Sequence, residues 1–425
     1  MKIQEINKKS ELCELELLSV VFADINLVPK VLTIIDEEDF FYQKKNFIIL
    51  IDCYKKNKNQ ISEFLSKKIN TSQFLNYSLR NITDICNELK TISNSRKVLF
   101  LLETATQEIE PDNLQNYVSD LQRQIILSAT NKTNELSSIL SIIENYKKQQ
   151  EFYKEKFKNG GGIIGIPTGY EKLDEVIDGI RSEHLWVIGG YTNMGKTAAS
   201  LNIVASLIKQ NKKVLFYSLE MSKTDILSRL LGIMTEQSGL SILKGFKHDE
   251  QKTKEAMEQI KKSDIAIHTE KNSIIDIQMS ILEESIKKPI DLVVIDFLQL
   301  ITAKGTKSEY ETLTLIILEI QQLAKKLKIP IIVLSQISNE GARNSHDTVM
   351  SFKGSGSIAS AADLAIEISP NEEDKLEWKR KMNEGEPVAM KWSIRKNRHG
   401  KVGYLDMEFN GRTGIFKPIE ISKEL

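Results

Sequence analysis

Residues 190–197, Gly-Tyr-Thr-Asn-Met-Gly-Lys-Thr, match the phosphate-binding pattern G-x-x-x-x-G-K-[ST] at every fixed position. An apolar segment, 185–189, precedes them and predicts a buried strand, and apolar residues recur at helical spacing over 198–208. Backbone N–H groups at the start of such a helix face phosphate oxygens, Lys196 adds a positive charge, and the Thr197 hydroxyl can ligate Mg²⁺. The alternative is an ordinary glycine-containing turn. The residues predicted to contact a nucleotide are Gly190, Asn193, Met194, Gly195, Lys196, Thr197 and Ala198.

Polar residues follow three other apolar segments, at the strand ends where ligand-handling groups collect in a parallel sheet. Glu220 can activate a water for attack on the γ-phosphate, or it can cap the helix that begins near Ser222. Asp296 fits the carboxylate that holds Mg²⁺ together with Thr197, or it is a strand-end aspartate that starts a turn. Gln336 offers a neutral amide to the γ-phosphate or to the attacking water. Beside a phosphate-binding loop, the catalytic interpretation of these residues is favoured.

A basic cluster near the C-terminus contains no acidic residue and comprises Lys391, Arg395, Lys396, Arg398 and Lys401. Most such clusters are solvated faces. Its place at a strand end, far along the chain from Lys196, is typical of an arginine finger that enters a neighbouring subunit's active site and stabilises transition-state charge. A DNA-binding patch is the competing interpretation.

Strands and helices alternate from residue 163 onward. The strand segments are continuously apolar and β-branched, which predicts a mostly parallel sheet covered by helices on both faces. Segments 388–396 and 403–409 alternate in polarity and predict a hairpin that finishes the sheet. This region, 163–425, is therefore expected to be the catalytic α/β domain.

The segment before residue 163 has a different character. Helical spacing of apolar residues over 10–130 predicts a small all-helical domain, 1–130, suited to packing or partner binding. An amphipathic helix over 135–158 ends in three consecutive glycines, which indicates a linker, 131–162, with a joint between the domains. This helix either docks on another surface or is a solvated spacer.

Composition limits the class of protein. A chain of 425 residues is too long for one core, and 41% hydrophobic with 27% charged residues is typical of a globular protein. The 58 basic and 58 acidic residues balance, so total charge does not indicate a nucleic-acid partner. Cys13, Cys53 and Cys86 are too few and too widely spaced for a disulfide framework or a metal knuckle. No leader or membrane span is predicted, and we expect a cytoplasmic protein.

Taken in order, the motifs resemble those of the DnaB family of replicative helicases, whose motor is RecA-like. The matching segments are TGYEKLD at 168–174, MGKT at 194–197, SLEM at 218–221, IDFLQL at 295–300, LSQ at 334–336, SGSI at 355–358, AD at 362–363, KNR at 396–398, FNG at 409–411 and, in the helical domain, DFF at 39–41. The resemblance covers nearly the whole chain. It implies an α/β RecA-like P-loop NTPase domain preceded by a small all-α N-terminal domain.

The resemblance also implies a function. It indicates a homo-hexameric ring that hydrolyses ATP with Mg²⁺ at subunit interfaces and moves 5′ to 3′ on single-stranded DNA, with Glu220 as the base and Gln336 as the γ-phosphate sensor. Lys396 and Arg398 would be donated to the adjacent subunit. The loop 352–357 would line the channel and grip the DNA backbone. Its predicted DNA contacts are Lys353, Gly354, Ser355 and Gly356. A primase and a helicase loader are the implied partners.

This chain departs from the family pattern at several places. The family usually has an arginine soon after the Ser-Gln pair, where this chain has Asn339, and Arg343 is the candidate for that DNA contact. Residues 191–193 replace the usual Arg-Pro-Ser, and the N-terminal domain is short for the family. These features suit a phage, plasmid or divergent bacterial protein that works in the nucleoid or in a phage-infected cell.

Two other functions compete with the helicase. One is a RecA-like DNA-dependent ATPase without unwinding activity, such as a recombination factor, a signalling ATPase or an accessory replication subunit. The other is a structural subunit derived from a helicase that joins a replication complex without turnover. The helical N-terminal domain and the lack of zinc-finger cysteines argue against the recombination factor. The presence of Lys196, Glu220, Asp296 and Arg398 argues against the inactive subunit.

Overall fold

The computed structural model describes residues 3–24, 27–32, 34–35, 37–56, 81–108, 118, 122, 139–158, 162–303, 306–337, 356–371 and 375–419. The chain divides into two compact units, Met1–Gln150 and Glu151–Leu425. The division falls inside a helix, Ile139–Lys158, which covers most of the predicted linker 131–162. No helix within the described ranges is long and apolar enough to cross a membrane.

The first unit is helical, as the periodicity predicts. Its helices are α1 (Ile3–Ala23), α2 (Val28–Leu32), α3 (Lys44–Lys56) and α4 (Ile82–Glu108), followed at the unit's end by the first part of α5 (Ile139–Lys158). Their shared core contains the fully buried side chains of Leu17, Leu18, Phe47, Leu50, Ile85 and Leu89. Leu12, which fits the apolar stripe in the sequence, is instead 48% exposed. The sequence Glu-Pro-Asp-Asn at 110–113 predicts a helix break and restart, and it lies outside the described residues.

A buried carboxylate, which the apolar pattern does not reveal, organises this helical core. Glu14 accepts the backbone N–H groups of residues 41–43 at 3.1, 2.8 and 2.7 Å, and Arg96 Nη1 lies 3.4 Å from the same carboxylate. These N–H groups lie just before α3, where helix donors need acceptors from outside the helix. Glu14 therefore caps α3 from a different helix.

The second unit contains a nine-stranded sheet in the order β3-β2-β4-β5-β1-β6-β7-β8-β9. The strands are β1 (Leu185–Gly190), β2 (Val214–Ser218), β3 (Ile265–His268), β4 (Leu292–Asp296), β5 (Ile331–Gln336), β6 (Leu364–Pro370), β7 (Pro387–Asn397), β8 (Gly403–Asn410) and β9 (Ile415–Pro418). Strands β1 to β6 are parallel, and β7 to β9 are antiparallel. The predicted parallel sheet is confirmed. The expectation that the β7–β8 hairpin finishes it is wrong, because β9 adds a further edge strand.

Helices cover both faces of the sheet. They are α6 (Glu171–Ile177), α7 (Lys196–Lys209), α8 (Lys223–Thr235), α9 (Gly239–Leu243), α10 (Glu250–Lys262), α11 (Ile274–Lys287), α12 (Glu309–Leu327), α13 (Gly356–Ala361) and α14 (Lys375–Glu384). Along β1, Trp186 and Ile188 pack in the core that includes α7, while Leu185 and Val187 pack in the core that includes α12. Burial on both faces explains why the strands are continuously apolar.

The motif at 168–174 has a structural role. Both carboxylate oxygens of Asp174 lie 3.0 Å from the backbone nitrogen of Thr168, which fixes the turn before α6. Gly169 adopts φ +94°, and a Cβ there would lie 2.6 Å from Ser206 Oγ. The Tyr170 hydroxyl donates to the carbonyl of Phe416 at 3.3 Å. The motif thereby ties the start of the unit to β9.

We predict that Glu14→Ala destabilises the helical unit by about 2–4 kcal/mol, because it leaves three backbone donors and Arg96 without their carboxylate. Hydrogen exchange on the full chain should show loss of amide protection at residues 41–43. Glu11→Ala, which removes an exposed carboxylate from the same helix, serves as the control. Equal exchange in the two variants would contradict the capping role of Glu14.

Candidate nucleotide site

The phosphate-binding loop lies where the sequence predicts it, between β1 and α7. Gly195 directly precedes the helix with φ +79°, and a Cβ at this position would lie 3.0 Å from Phe416 Cζ. Asn193 adopts a left-handed conformation with φ +64°, which asparagine tolerates better than most residues. The loop therefore curls around the helix start, where backbone N–H groups form an anion site.

Lys196 lies across this loop and is only 9% exposed. Its ammonium group donates to the carbonyls of Gly190 at 3.0 Å and Tyr191 at 2.9 Å. Burial holds the pKa of Lys196 below its ordinary value, and the nearby carboxylates of Asp296 and Glu220 oppose part of that shift. The positive charge of Lys196 is thus already positioned at the loop, where a phosphate would bind.

The structure brings Thr197 and Asp296 together. The Thr197 hydroxyl donates to Asp296 Oδ2 at 2.8 Å. Asp296 ends β4 and is 1% exposed, and this burial raises its pKa from 3.8 to about 6, with the hydrogen bond from Thr197 acting in the opposite direction. The β2–β4 register pairs Ser218 with Asp296, and therefore brings the end of β2 to the same place.

Glu220 is exposed, two residues beyond the end of β2. The turn that carries it is fixed on both sides, since Ser218 Oγ donates to the carbonyl of Met221 at 2.9 Å and accepts its N–H at 3.1 Å. Ser222 occupies the N-cap of α8 and accepts the N–H of Asp225. The capping role considered for Glu220 is therefore taken by Ser222.

Gln336 ends β5 and pairs in register with Gly190, the first residue of the loop. Its backbone N–H donates to Gln299 Oε1 at 3.2 Å, and Gln299 Nε2 donates to Ser335 Oγ at 3.0 Å. Gln299, which had no role assigned from the sequence, therefore fixes the backbone around Gln336. Four predicted residues, Lys196, Glu220, Asp296 and Gln336, come from four strand ends at one edge of the sheet.

A cavity of about 680 Å³ adjoins the loop. Asn193, Gly195 and Ala198 line it on the loop side, and the turn between β8 and β9 and the helices α8 and α9 line it elsewhere. Arg229 projects from α8 into its lining and contributes positive potential at Asp296. Sequence reasoning missed Arg229, because a single arginine in a helix has no distinctive spacing.

Lys396 and Arg398 lie elsewhere in the unit. Arg398 bonds Asp363, and the backbone of Asp363 pairs with Leu185 at the first residue of β1. The loop bearing Lys196 follows the last residue of β1. The structure therefore separates these two basic residues from the other predicted catalytic residues by the length of a strand.

Two other basic residues of the cluster, Arg395 and Lys391, have local partners. Arg395 Nε bonds Glu367 at 2.7 Å, and the Lys391 ammonium lies 4.5 Å from the ring centroid of Tyr404. Among the predicted DNA contacts, Gly356 is the exposed first residue of α13. Arg343, Lys353, Gly354 and Ser355 lie outside the described residues.

A phosphate loop and a buried strand-end carboxylate on this sheet define an ATP-hydrolysing domain of the RecA-like α/β class. Residues 165–418 match the model of the DnaB-like helicase C-terminal domain. The chain belongs to this family.

Two curated relatives illustrate the similarity. A replicative DNA helicase DnaB of Helicobacter pylori is 23% identical over 450 residues, which covers 94% of this chain and 91% of the relative. A replicative DNA helicase DnaB of Mycoplasma genitalium is 29% identical over 327 residues, which covers 73% of this chain and 68% of the relative. The first of these alignments includes both units of the chain.

Two solved structures share the fold. The isolated ATPase domain of another protein superimposes with a TM-score of 0.57 at 25% identity, covering 64% of this chain and 98% of that one. A DnaB-like replicative helicase, solved in a study of its interactions with primase, superimposes with a TM-score of 0.62 at 20% identity. The match covers 96% of this chain and 99% of that one. The RecA-like α/β fold with a helical N-terminal region is thus confirmed.

We predict that Asp296→Asn stabilises the nucleotide-free protein at pH 8. The raised pKa means that the folded state disfavours the ionised carboxylate, a cost of up to about 3 kcal/mol that is present above pH 6 and disappears below the unfolded-state pKa. The gain in melting temperature should therefore shrink toward pH 5. Asp264→Asn, at a side chain that is 40% exposed, is the control. A destabilised Asp296→Asn variant at pH 8 would contradict this account.

Proposed function

We propose that this chain is an ATP-dependent replicative DNA helicase that works as a ring of six copies and moves 5′ to 3′ along single-stranded DNA. Membership of a helicase family supports the activity. The observation that carries the catalytic proposal is the 2.8 Å contact between Thr197 and Asp296, beside the buried Lys196. Hexamer formation, direction of movement and the residue roles below rest on the family pattern together with this geometry.

The donor set at the strand ends fits Mg²⁺. A hydroxyl and a carboxylate oxygen are the hard ligands that this ion takes beside nucleotide phosphates, and Thr197 and Asp296 supply them side by side. When bound, the ion neutralises phosphate charge. Lys196 exchanges its two loop carbonyls for phosphate oxygens. Thr197 and Asp296 would hold this ion, and its charge would compensate the buried Asp296 carboxylate.

Hydrolysis requires a water aligned with the γ-phosphate. Glu220 stands at the end of β2, next to the β4 end that carries Asp296, and accepts the proton of that water. Gln336, held through Gln299, donates its amide to the γ-phosphate. The cavity beside the loop holds the base and ribose, with Arg229 on its wall.

The separation of Lys396 and Arg398 from the loop favours shared sites. β1 has six residues, so its ends lie ~16 Å apart, beyond the reach of an arginine at one end to a phosphate at the other. In a head-to-tail ring, one edge of each sheet can face the opposite edge of the next copy. Lys396 and Arg398 then enter the neighbour's nucleotide site and stabilise transition-state charge.

The other proposals concern DNA and partners. Lys353, Gly354, Ser355 and Gly356, with Arg343 in place of the family arginine, contact the DNA backbone in a manner that tolerates any sequence. The helical domain 1–130 forms the collar and binds a primase and a helicase loader, and 131–162 is its linker to the motor, 163–425.

We predict that the chain unwinds a forked duplex that carries a 5′ single-stranded tail and that Glu220→Gln abolishes this activity. Loss of the general base should lower DNA-stimulated ATP hydrolysis by about 10²-fold or more while ATP binding persists. Glu270→Gln is the matched control, because Glu270 also lies two residues beyond a strand end, that of β3, and its side chain is 88% exposed.

The same assays separate the competing functions. DNA-stimulated hydrolysis without strand separation would favour the DNA-dependent ATPase that does not unwind. Absence of hydrolysis in a correctly assembled ring would favour the inactive structural subunit. Wild-type hydrolysis by Glu220→Gln would remove Glu220 from the mechanism.

We predict that Arg398→Ala and Lys196→Ala, each inactive alone, recover part of the wild-type hydrolysis when mixed. A functional site forms wherever the loop of the first variant meets the basic pair of the second. Native mass measurement should verify that the variants co-assemble. Failure to recover at every mixing ratio, despite co-assembly, would contradict interface-shared sites.

A further inference from the structure

Arg398 is held in place by hydrogen bonds within its own chain. Its Nη1 donates to Asp363 Oδ1 at 3.0 Å, its Nη2 donates to the carbonyl of Ser360 at 3.2 Å, and its backbone N–H donates to the carbonyl of Asp363 at 2.9 Å. The Arg398 side chain is nevertheless 42% exposed. One edge of the guanidinium is thus fixed while part of it faces outward.

Asp363 connects the bound Arg398 side chain to the sheet. Its Oδ2 accepts the backbone N–H of Leu185 at 2.9 Å, and its own N–H donates to the carbonyl of Leu185 at 2.8 Å. The Asp363 side chain is only 6% exposed, so its charge depends on Arg398 and on that N–H group. Arg398 therefore cannot leave Asp363 without leaving a buried charge uncompensated.

Lys396 is held by the same helix end. Its ammonium donates to the carbonyls of Ala359 at 2.9 Å and Ser360 at 2.7 Å, in the last turn of α13, where carbonyls need partners from outside the helix. At its other end, α13 begins at Gly356, a predicted DNA contact. The helix has six residues and spans ~9 Å.

We propose that Asp363, with the last carbonyls of α13, is the positioning site for Lys396 and Arg398, a role that rests on the proposed function. Arginine carries five N–H donors in a rigid fork, so Arg398 keeps Asp363 on one edge and presents other N–H groups to the neighbour's phosphate. Asp363 bonds Leu185 at the start of β1, at the opposite edge from the loop, and acts through Arg398.

The test uses mixed full-length rings. Asp363→Asn preserves the volume and an acceptor for Leu185 but removes the charge that holds Arg398, and it should lower the kcat of DNA-stimulated hydrolysis at least 10-fold with little change in the KM for ATP. Mixed with Lys196→Ala, it should recover activity, because its own loop is intact. Mixed with Arg398→Ala it should not, because both variants lack a competent basic pair.

The chain offers a matched control. Asp178 also accepts a backbone N–H, that of Ile164 at 2.8 Å, with one oxygen and an arginine, Arg181 at 2.6 Å, with the other. Asp178→Asn should retain hydrolysis. Asp363→Glu keeps the charge but displaces the guanidinium by one methylene, so it should also lower kcat. It is the alternative variant if Asp363→Asn fails to assemble.

The outcomes separate the two proposals. Recovery of Asp363→Asn by Arg398→Ala, or wild-type kcat in an assembled Asp363 variant, would overturn the positioning role while leaving shared sites intact. Full hydrolysis by Arg398→Ala alone would overturn both. Failure of Asp363→Asn to recover with Lys196→Ala, when Arg398→Ala does recover with it, would mean that Asp363 serves the fold rather than the basic pair.

Discussion

The contact between the Thr197 hydroxyl and the buried Asp296 carboxylate is the constraint on which the rest of the catalytic unit depends. A charge that is 1% exposed requires partners, and the first lies at the start of α7, which must therefore begin directly over the end of β4. β5 lies between β4 and β1, so this contact reaches from the loop after β1, across the end of β5, to the end of β4. The same hydroxyl and carboxylate are the ligands proposed for Mg²⁺.

A second constraint follows from the parallel sheet. All six parallel strands end at one edge, so the groups proposed to handle phosphate gather there, and the opposite edge holds strand starts. Asp363 and Arg398 occupy that opposite edge and bond each other rather than the loop. The direction of the strands thus separates the two halves of the proposed shared site onto the two edges of one sheet.

The sequence predicts most of the fold and the loop side of the site, because these features have local patterns. Continuous apolar strands, the glycine and lysine spacing of the loop and the aspartate after β4 are visible within short windows. Arg229 and Asp363 are not, because their surroundings come from segments far apart in the chain. The cap that Glu14 provides to α3 is hidden for the same reason, and β9 escapes detection because four residues are too few to show a period.

β1 joins these two edges directly. Its first residue, Leu185, is bonded twice to Asp363, and its last, Gly190, accepts the Lys196 ammonium. In the proposed ring, each copy of this short, fully buried strand would connect the nucleotide loop of its own site to the basic pair that enters the neighbouring copy's site.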